Sequence, residues 1–327
     1  MQTPSLRELL LGTLAFCAGV NSFAQTPAGS VQSGAAAVAE EEVLTEVTVS
    51  APEPRYVAPT TRDRIGRVWV PVKINGKGPF RLVLDSGATH TAVTPKIVSA
   101  LGIDPDSAPR VLLRGVTGSA EAQSIIVDSL EVGDLWLGRS LMPVVHDAFG
   151  GAEGLLGTDG LQTRRIHIDF RRDYIDVRTS RSQRAPAGFT TIPLRRGPGR
   201  LLLVEAVVAG VTALAIVDTG AQTSLGNEAM RTALNRRFSR KPPTRAEVIG
   251  ATGHIQTGDG IVVSPVKVGD ISVRNVHVTF ADLHIFSHWG LDKRPVILLG
   301  MDVLGVLDTL IIDYKRRELQ IRMVAAD

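Results

Sequence analysis

Cysteine is nearly missing: the chain of 327 residues holds one, Cys17, inside an N-terminal apolar stretch. That excludes a disulfide framework, a Cys-ligated metal site and a thiol nucleophile from the body of the protein. Aromatics are scarce at 5%, which leaves little for stacking sugars and disfavours a glycosidase. Charge of one sign is not in surplus either. Lys and Arg number 36 against 33 Asp and Glu, 29 of the basic residues are Arg, and they are scattered. A nucleic-acid footprint is therefore not expected. There is no G-x-S-x-G elbow, no Walker A loop and no G-x-G-x-x-G, so serine-hydrolase and nucleotide readings lack support. His284-x3-His288 has the spacing of a zinc pair, but no HExxH and no cysteine accompanies it. Neither a metal nor a cofactor is expected. His90, five residues after Asp85, is a candidate cleft residue, while His277 reads as a loop histidine.

What is present is an ordinary globular composition, 44% hydrophobic and 21% charged. The length suggests about two domains. Thirty-two glycines and Val-rich alternating stretches point to β-structure.

Arg7 precedes the apolar run Leu9–Val20, which is too short to cross a bilayer core of ~30 Å. It suits a signal-peptide core, and Ser22-Phe23-Ala24 before Gln25 fits a small-x-small cleavage site. Residues 1–24 are thus expected to be a signal peptide, and the mature chain to be periplasmic or secreted. Phe16 before Cys17 departs from the small residue that lipoprotein signals place there, which argues against a lipid anchor. Residues 25–62 read as a flexible linker or pro-segment, with a short strand conceivable at Glu46–Val49. No later run predicts a membrane span.

The rest is one unit written twice. Arg81-Leu-Val-Leu-Asp-Ser-Gly-Ala88 matches Leu214-Ala-Ile-Val-Asp-Thr-Gly-Ala221 at an offset of 133 residues. Arg114–Gly118 matches Ile249–Gly253, Gly154–Asp159 matches Ile297–Asp302, and Ile166–Phe170 matches Leu310–Tyr314. The order is kept while the offset grows to 144, as loop insertions in the second copy would make it. The expected domains are a first lobe over 63–185, a linker over 186–193 and a second lobe over 194–327. Val68–Ile74, the turn pair Asn75-Gly76 and Phe80–Leu84 predict a hairpin. Leu201–Val208, Gly210 and Ala213–Val217 repeat it. Pro95–Leu101 and Asn227–Leu234 predict one short helix per copy. The fold expected is all-β: two homologous β-barrel lobes about a pseudo-two-fold axis, with short helices.

Asp-Ser/Thr-Gly occurs twice and nowhere else, each time after an apolar strand and before Ala. The chain must turn sharply there past a buried carboxylate. Two such carboxylates at a pseudo-two-fold axis cannot both ionise easily, so they share a proton. The ionised member can take a proton from water while the protonated member donates to a carbonyl oxygen.

At these residues the sequence resembles the retropepsin-like aspartic proteases, in a fused two-lobe arrangement like that of the pepsins. The resemblance implies a catalytic pair, Asp85 and Asp218, with Ser86, Gly87, Thr219 and Gly220 stabilising the two loops. It implies that Leu155-Leu156-Gly157 and Leu298-Leu299-Gly300 brace them. Leu113–Gln123 and Val248–Gly258 stand where flaps are expected, with Gly115, Thr117, Gly118, Gly250, Thr252 and Gly253 at their bends. Neither flap holds the Tyr usual in pepsins, so the retroviral type is nearer. The function implied is endopeptidase action on a peptide or protein substrate by a monomer that carries its own pseudo-dimer. The alternative is a non-catalytic peptide-binding or regulatory module on the same fold, and the intact aspartate pair favours the enzyme. Asp159 and Asp302 read as turn or helix caps, and Asp169 and Asp313 as structural residues.

Overall fold

The computed structural model describes residues 45–48, 52–53, 68–132, 135–146, 151–172, 174–235 and 243–323. The signal-peptide expectation lies outside them.

Each lobe starts from the expected hairpin. Trp69–Ile74 alternates exposed and buried, placing Val70, Val72 and Ile74 inside. The chain reverses at Asn75 (φ 50°) and Gly76 (φ 71°), the double left-handed turn that matches strand twist. Asn75 fits twice, because its Oδ1 also accepts from the amides of Asp128 and Ser129 at 2.8 and 3.1 Å. Lys77–Leu84 then runs inward until Leu82, Val83 and Leu84 are buried. The second lobe repeats this with Leu202–Val208 and Val211–Val217, joined at Ala209 and Gly210, both at positive φ.

The return strands follow the same rule in both copies. Gly154–Leu156 lies parallel to Lys77–Leu84 and antiparallel to Ala92–Val93. Val296–Leu299 lies parallel to Val211–Val217 and antiparallel to Ser224–Gly226. The strand that ends in each Asp-Ser/Thr-Gly is thereby fixed by an apolar neighbour on its own sheet. The helices come out at Pro95–Leu101 and Glu228–Asn235. The first opens on Pro at its first turn and closes on Gly102 at φ 71°. The second is capped by Asn227, whose Oδ1 accepts from the Met230 amide at 2.9 Å.

A five-stranded sheet joins the lobes. Its order is Tyr174–Thr179, Arg164–Asp169, Thr309–Asp313, Glu318–Arg322, Thr190–Pro193. At its centre Ile168 faces Leu310 and Ile166 faces Ile312, so the fourth pair of repeat segments meets strand to strand. These four side chains belong to one core cluster that runs through both lobes.

Two stretches read as linkers contain strands. Thr190–Pro193, in the inter-lobe stretch, pairs with Glu318–Arg322. Within 25–62, Thr45–Thr48 pairs with Val111–Gly115, and Pro52–Glu53 with Thr244–Gly250. Both of the latter partners are outer strands of hairpins, whose unpaired backbone groups accept a third strand.

Candidate active site

Asp85 and Asp218 end their strands fully buried. Strand pairing sets each: the Asp85 amide donates to the Leu156 carbonyl at 2.9 Å, and the Asp218 amide to that of Leu299 at 3.1 Å. The Gly that follows lets the loop fold back onto its own carboxylate. Asp85 Oδ1 accepts from the amides of Gly87 and Ala88 at 2.8 and 2.9 Å. Asp218 Oδ1 accepts from Gly220 and Ala221 at 2.9 and 3.1 Å. Each carboxylate thus has one oxygen fixed by its loop and keeps Oδ2 outside those amides.

The loops are locked to each other by the residue after each aspartate. The Ser86 amide donates to Thr219 Oγ1 and the Thr219 amide to Ser86 Oγ, both at 3.1 Å. Ser86 Oγ then donates across to the Val217 carbonyl, and Thr219 Oγ1 to that of Leu84, both at 2.7 Å. Ser and Thr supply the same donor and acceptor, so the difference between the copies does not disturb the exchange. The approach is close. A Cβ on Gly220 would lie 2.6 Å from Asp85 Oδ2, so only glycine lets the second loop reach the first carboxylate.

Burial pushes Asp218 well above the ordinary carboxylate range, and the charge of Asp85 pushes it further. Its two loop amides pull the other way without overcoming this. The pair therefore holds a proton where an isolated Asp would have lost it.

The Leu-Leu-Gly segments brace these loops through a repeated polar clasp. Thr158 and Met301 donate their amides to the carbonyls of Ala88 and Ala221, at 2.9 and 2.8 Å. Gly157 donates to Thr91 Oγ1 and Gly300 to Ser224 Oγ, both at 3.2 Å. Those hydroxyls donate onward to Asp159 and Asp302, at 2.9 and 2.8 Å. The two acids thus act across the chain, beyond the cap role read from sequence. Thr91 and Ser224 were not singled out in the sequence. Their signal was positional: each stands six residues after its aspartate, a match hidden by the Thr/Ser difference. Burial raises both acids.

The segments expected to be flaps are hairpins of Val111–Gly115 with Gly118–Ala122, and of Thr244–Gly250 with Ile255–Val263. Their tips meet. Thr117 Oγ1 donates to the His254 carbonyl at 2.8 Å. Gly115 faces Thr252, and Gly250 faces Thr117 so closely that a side chain at Gly250 would collide. Gly118 faces the His254 ring, and Gly253 turns at φ 78°. Each tip also enters the other lobe. Val116 is buried in a cluster with Ala221 and Ile216, beside the Asp218 loop. Ala251 is buried in a cluster with Ala88 and Val83, beside the Asp85 loop. Ser119 Oγ lies 3.0 Å from His284 Nε2, where the short helix His284–His288 supports the first flap. That pair and the exchange of tips have no local sequence signature.

His284 and His288 stack on one another, their ring centroids 6.4 Å apart. His90 is half-buried, its Nδ1 2.9 Å from Thr89 Oγ1, and burial lowers its pKa against the pull of Asp159. Tyr314 lies fully buried with its hydroxyl unpartnered among the described residues. Burial raises its pKa, and the charge of Asp85 adds to that.

The aspartyl protease family matches residues 70–159 and again 204–303, more than half of the chain, with one Asp-Ser/Thr-Gly in each span. The chain belongs to the aspartyl protease family. As an aspartyl protease it is a hydrolase of peptide bonds. Among curated proteins none matches. Among solved structures 291 chains match. One is the aspartic proteinase from Irpex lacteus, with 13% identity over 79% of this chain and 94% of that one, and a TM-score of 0.49. No helix among the protease's described residues is long and apolar enough to cross a membrane.

Proposed function

We propose that this aspartyl protease is an exported endopeptidase whose catalytic pair is Asp85 and Asp218. The observation that carries the reading is the raised Asp218 carboxylate, buried against Asp85, with each Oδ1 held by two loop amides. A pair holding one proton contains a base and an acid together. The ionised carboxylate takes a proton from water as its oxygen attacks the scissile carbonyl carbon. The protonated one donates to the carbonyl oxygen, and a gem-diol forms. Collapse of the gem-diol breaks the C–N bond: the amine leaves with a proton from the protonated carboxyl, while the other carboxylate takes a gem-diol hydroxyl proton, which gives the carboxylic acid product and restores the pair. No covalent enzyme intermediate is needed.

Ser86 and Thr219 hold the two loops in register, and the Leu-Leu-Gly segments with Gly157 and Gly300 hold them from behind. The flaps, bending at Gly115, Gly118, Gly250 and Gly253 with Thr117 and Thr252 at their tips, close over a peptide and exclude bulk water. Because both lobes lie on one chain, the working unit is a monomer. Export rests on the apolar segment Leu9–Val20 and the Ala24 site.

Digestion of a peptide library with wild type and Asp85→Asn tests the activity. Cleavage at internal bonds by wild type alone is the expected result. Trimming from the termini only, or equal digestion by Asp85→Asn, contradicts it. Export is tested by N-terminal sequencing: a start near Gln25 supports it, and a retained Met1 on the mature protein contradicts it.

A further inference from the structure

The face of the inter-lobe sheet turned away from the core carries a second feature. Ile166 and Ile168 point into the core, so the alternation of the strand turns Arg165, His167 and Asp169 the other way. Between that face and the connection through Gln183, Pro186 and Phe189 lies a cavity of about 400 Å³. This is the size of a small-molecule site. Five guanidinium groups line it, those of Arg165, Arg172, Arg178, Arg184 and Arg322, against two carboxylates, Asp169 and Asp176.

The arginines are held unevenly. Arg165 is buried, donating NH1 to Asp313 at 3.0 Å and NH2 to Gln320 at 2.7 Å. Asp313 is fixed in turn by Ser180 Oγ at 2.9 Å. Arg165 therefore spends two of its five N–H donors and stays rigid. Arg178 stands directly opposite it in the strand register. Like charges facing across a strand pair are unfavourable unless something lies between them. Arg178 pairs with Asp176, and Arg172 touches Asp169 only at 3.8 Å with its side chain 83% exposed. Arg322 must share Asp308 with Arg171. Arg184 makes no ion pair among the described residues. Among the described residues these are six arginines against four carboxylates, so two positive charges remain over, one at Arg184 and one on the Arg171 and Arg322 pair that shares Asp308.

We propose that this cavity binds a small dianion, a phosphomonoester or a dicarboxylate, seated between Arg165 and Arg184 with Arg172 closing over it. Guanidinium forks suit both oxyanions. His167 lies on the floor, its pKa lowered by burial. Phe189, already under the Arg322 guanidinium, forms the apolar wall. The whole inter-lobe sheet separates this site from the aspartates, so the proposal is independent of the catalytic reading.

The test is calorimetric titration of the full chain with glycerol 2-phosphate and, separately, with succinate, at low salt and pH 7. Saturable binding of at least one ion is expected, together with a raised melting temperature. The arm that binds identifies the head group. Arg184→Ala should weaken that binding about tenfold, the loss of one charge-assisted contact, and Arg172→Ala should also weaken it. Arg274→Ala, exposed on the second lobe, should leave it unchanged. No binding of either ion overturns the proposal. So does binding that survives both Arg184→Ala and Arg172→Ala at wild-type strength.

Discussion

Asp218 is the residue where stability and the proposed chemistry oppose each other. Its pKa is raised on folding, so the native state favours the protonated form. The favourable contribution is present at low pH and is lost as pH rises through the folded value. At neutral pH the fold therefore carries an acid it would rather keep neutral. Asp218→Asn removes that penalty and should raise the melting temperature at pH 7. The gain should shrink toward pH 3, where wild-type Asp218 is protonated. Melting curves across that range check it, and a gain that grows on acidification contradicts the assignment. Tyr314 makes a second prediction. Its buried hydroxyl has no partner among the described residues, and the matching position in the first lobe is Phe170. Tyr314→Phe should cost nothing or stabilise by up to about 1 kcal/mol in urea unfolding.

At the scale of elements, the braces behind the aspartates depend on glycine for space. A Cβ at Gly157 would lie 2.8 Å from the Thr91 amide nitrogen, and one at Gly300 2.8 Å from the Thr223 carbonyl oxygen. Gly157→Ala and Gly300→Ala should each destabilise by about 1–3 kcal/mol, the usual cost of overpacking. Each should also lower peptide turnover, because the displaced strand carries the carbonyl that fixes its aspartate. Denaturant melts and initial rates check both.

The hairpins and both helices were legible in the sequence because each has a local cause. Asn75-Gly76 turns, Pro95 starts a helix, and alternation in Val70, Val72 and Ile74 marks a buried face. The aspartate loops were legible because the motif occurs twice at a matched offset. The clasp through Thr91 and Ser224 was not, since one hydroxyl stands for another and its acid partner lies some seventy residues on. The crossing of the flap tips was not legible either. Val116 and Ala251 are ordinary small apolar residues, and only the tertiary arrangement sends each into the opposite lobe. Thr190–Pro193 read as a linker because a four-residue edge strand carries almost no periodicity.

The whole molecule presents a symmetric device in one covalent piece. Joining the lobes makes the meeting of the two aspartates an intramolecular event at high effective concentration. Specific activity should therefore stay constant on dilution, with sedimentation showing one chain per particle throughout. A fall in activity per molecule, with loss of an oligomer, contradicts a self-sufficient pair. In the proposed mechanism neither aspartate has a role it can perform alone. Asn nearly matches Asp in shape but cannot ionise or share an acidic proton. The direct measurement is the rate of peptide hydrolysis from pH ~3 to 8, a range that brackets the titration of such pairs. It compares wild type, Asp85→Asn, Asp218→Asn and the double variant, all confirmed folded by melting. Each single substitution should lower turnover by a few orders of magnitude, as positioned acid–base groups contribute ~10²–10⁴-fold. The double variant should be scarcely slower than either single, because residues that act as a unit are not additive. Full activity in either folded single variant would place the chemistry elsewhere and contradict the account.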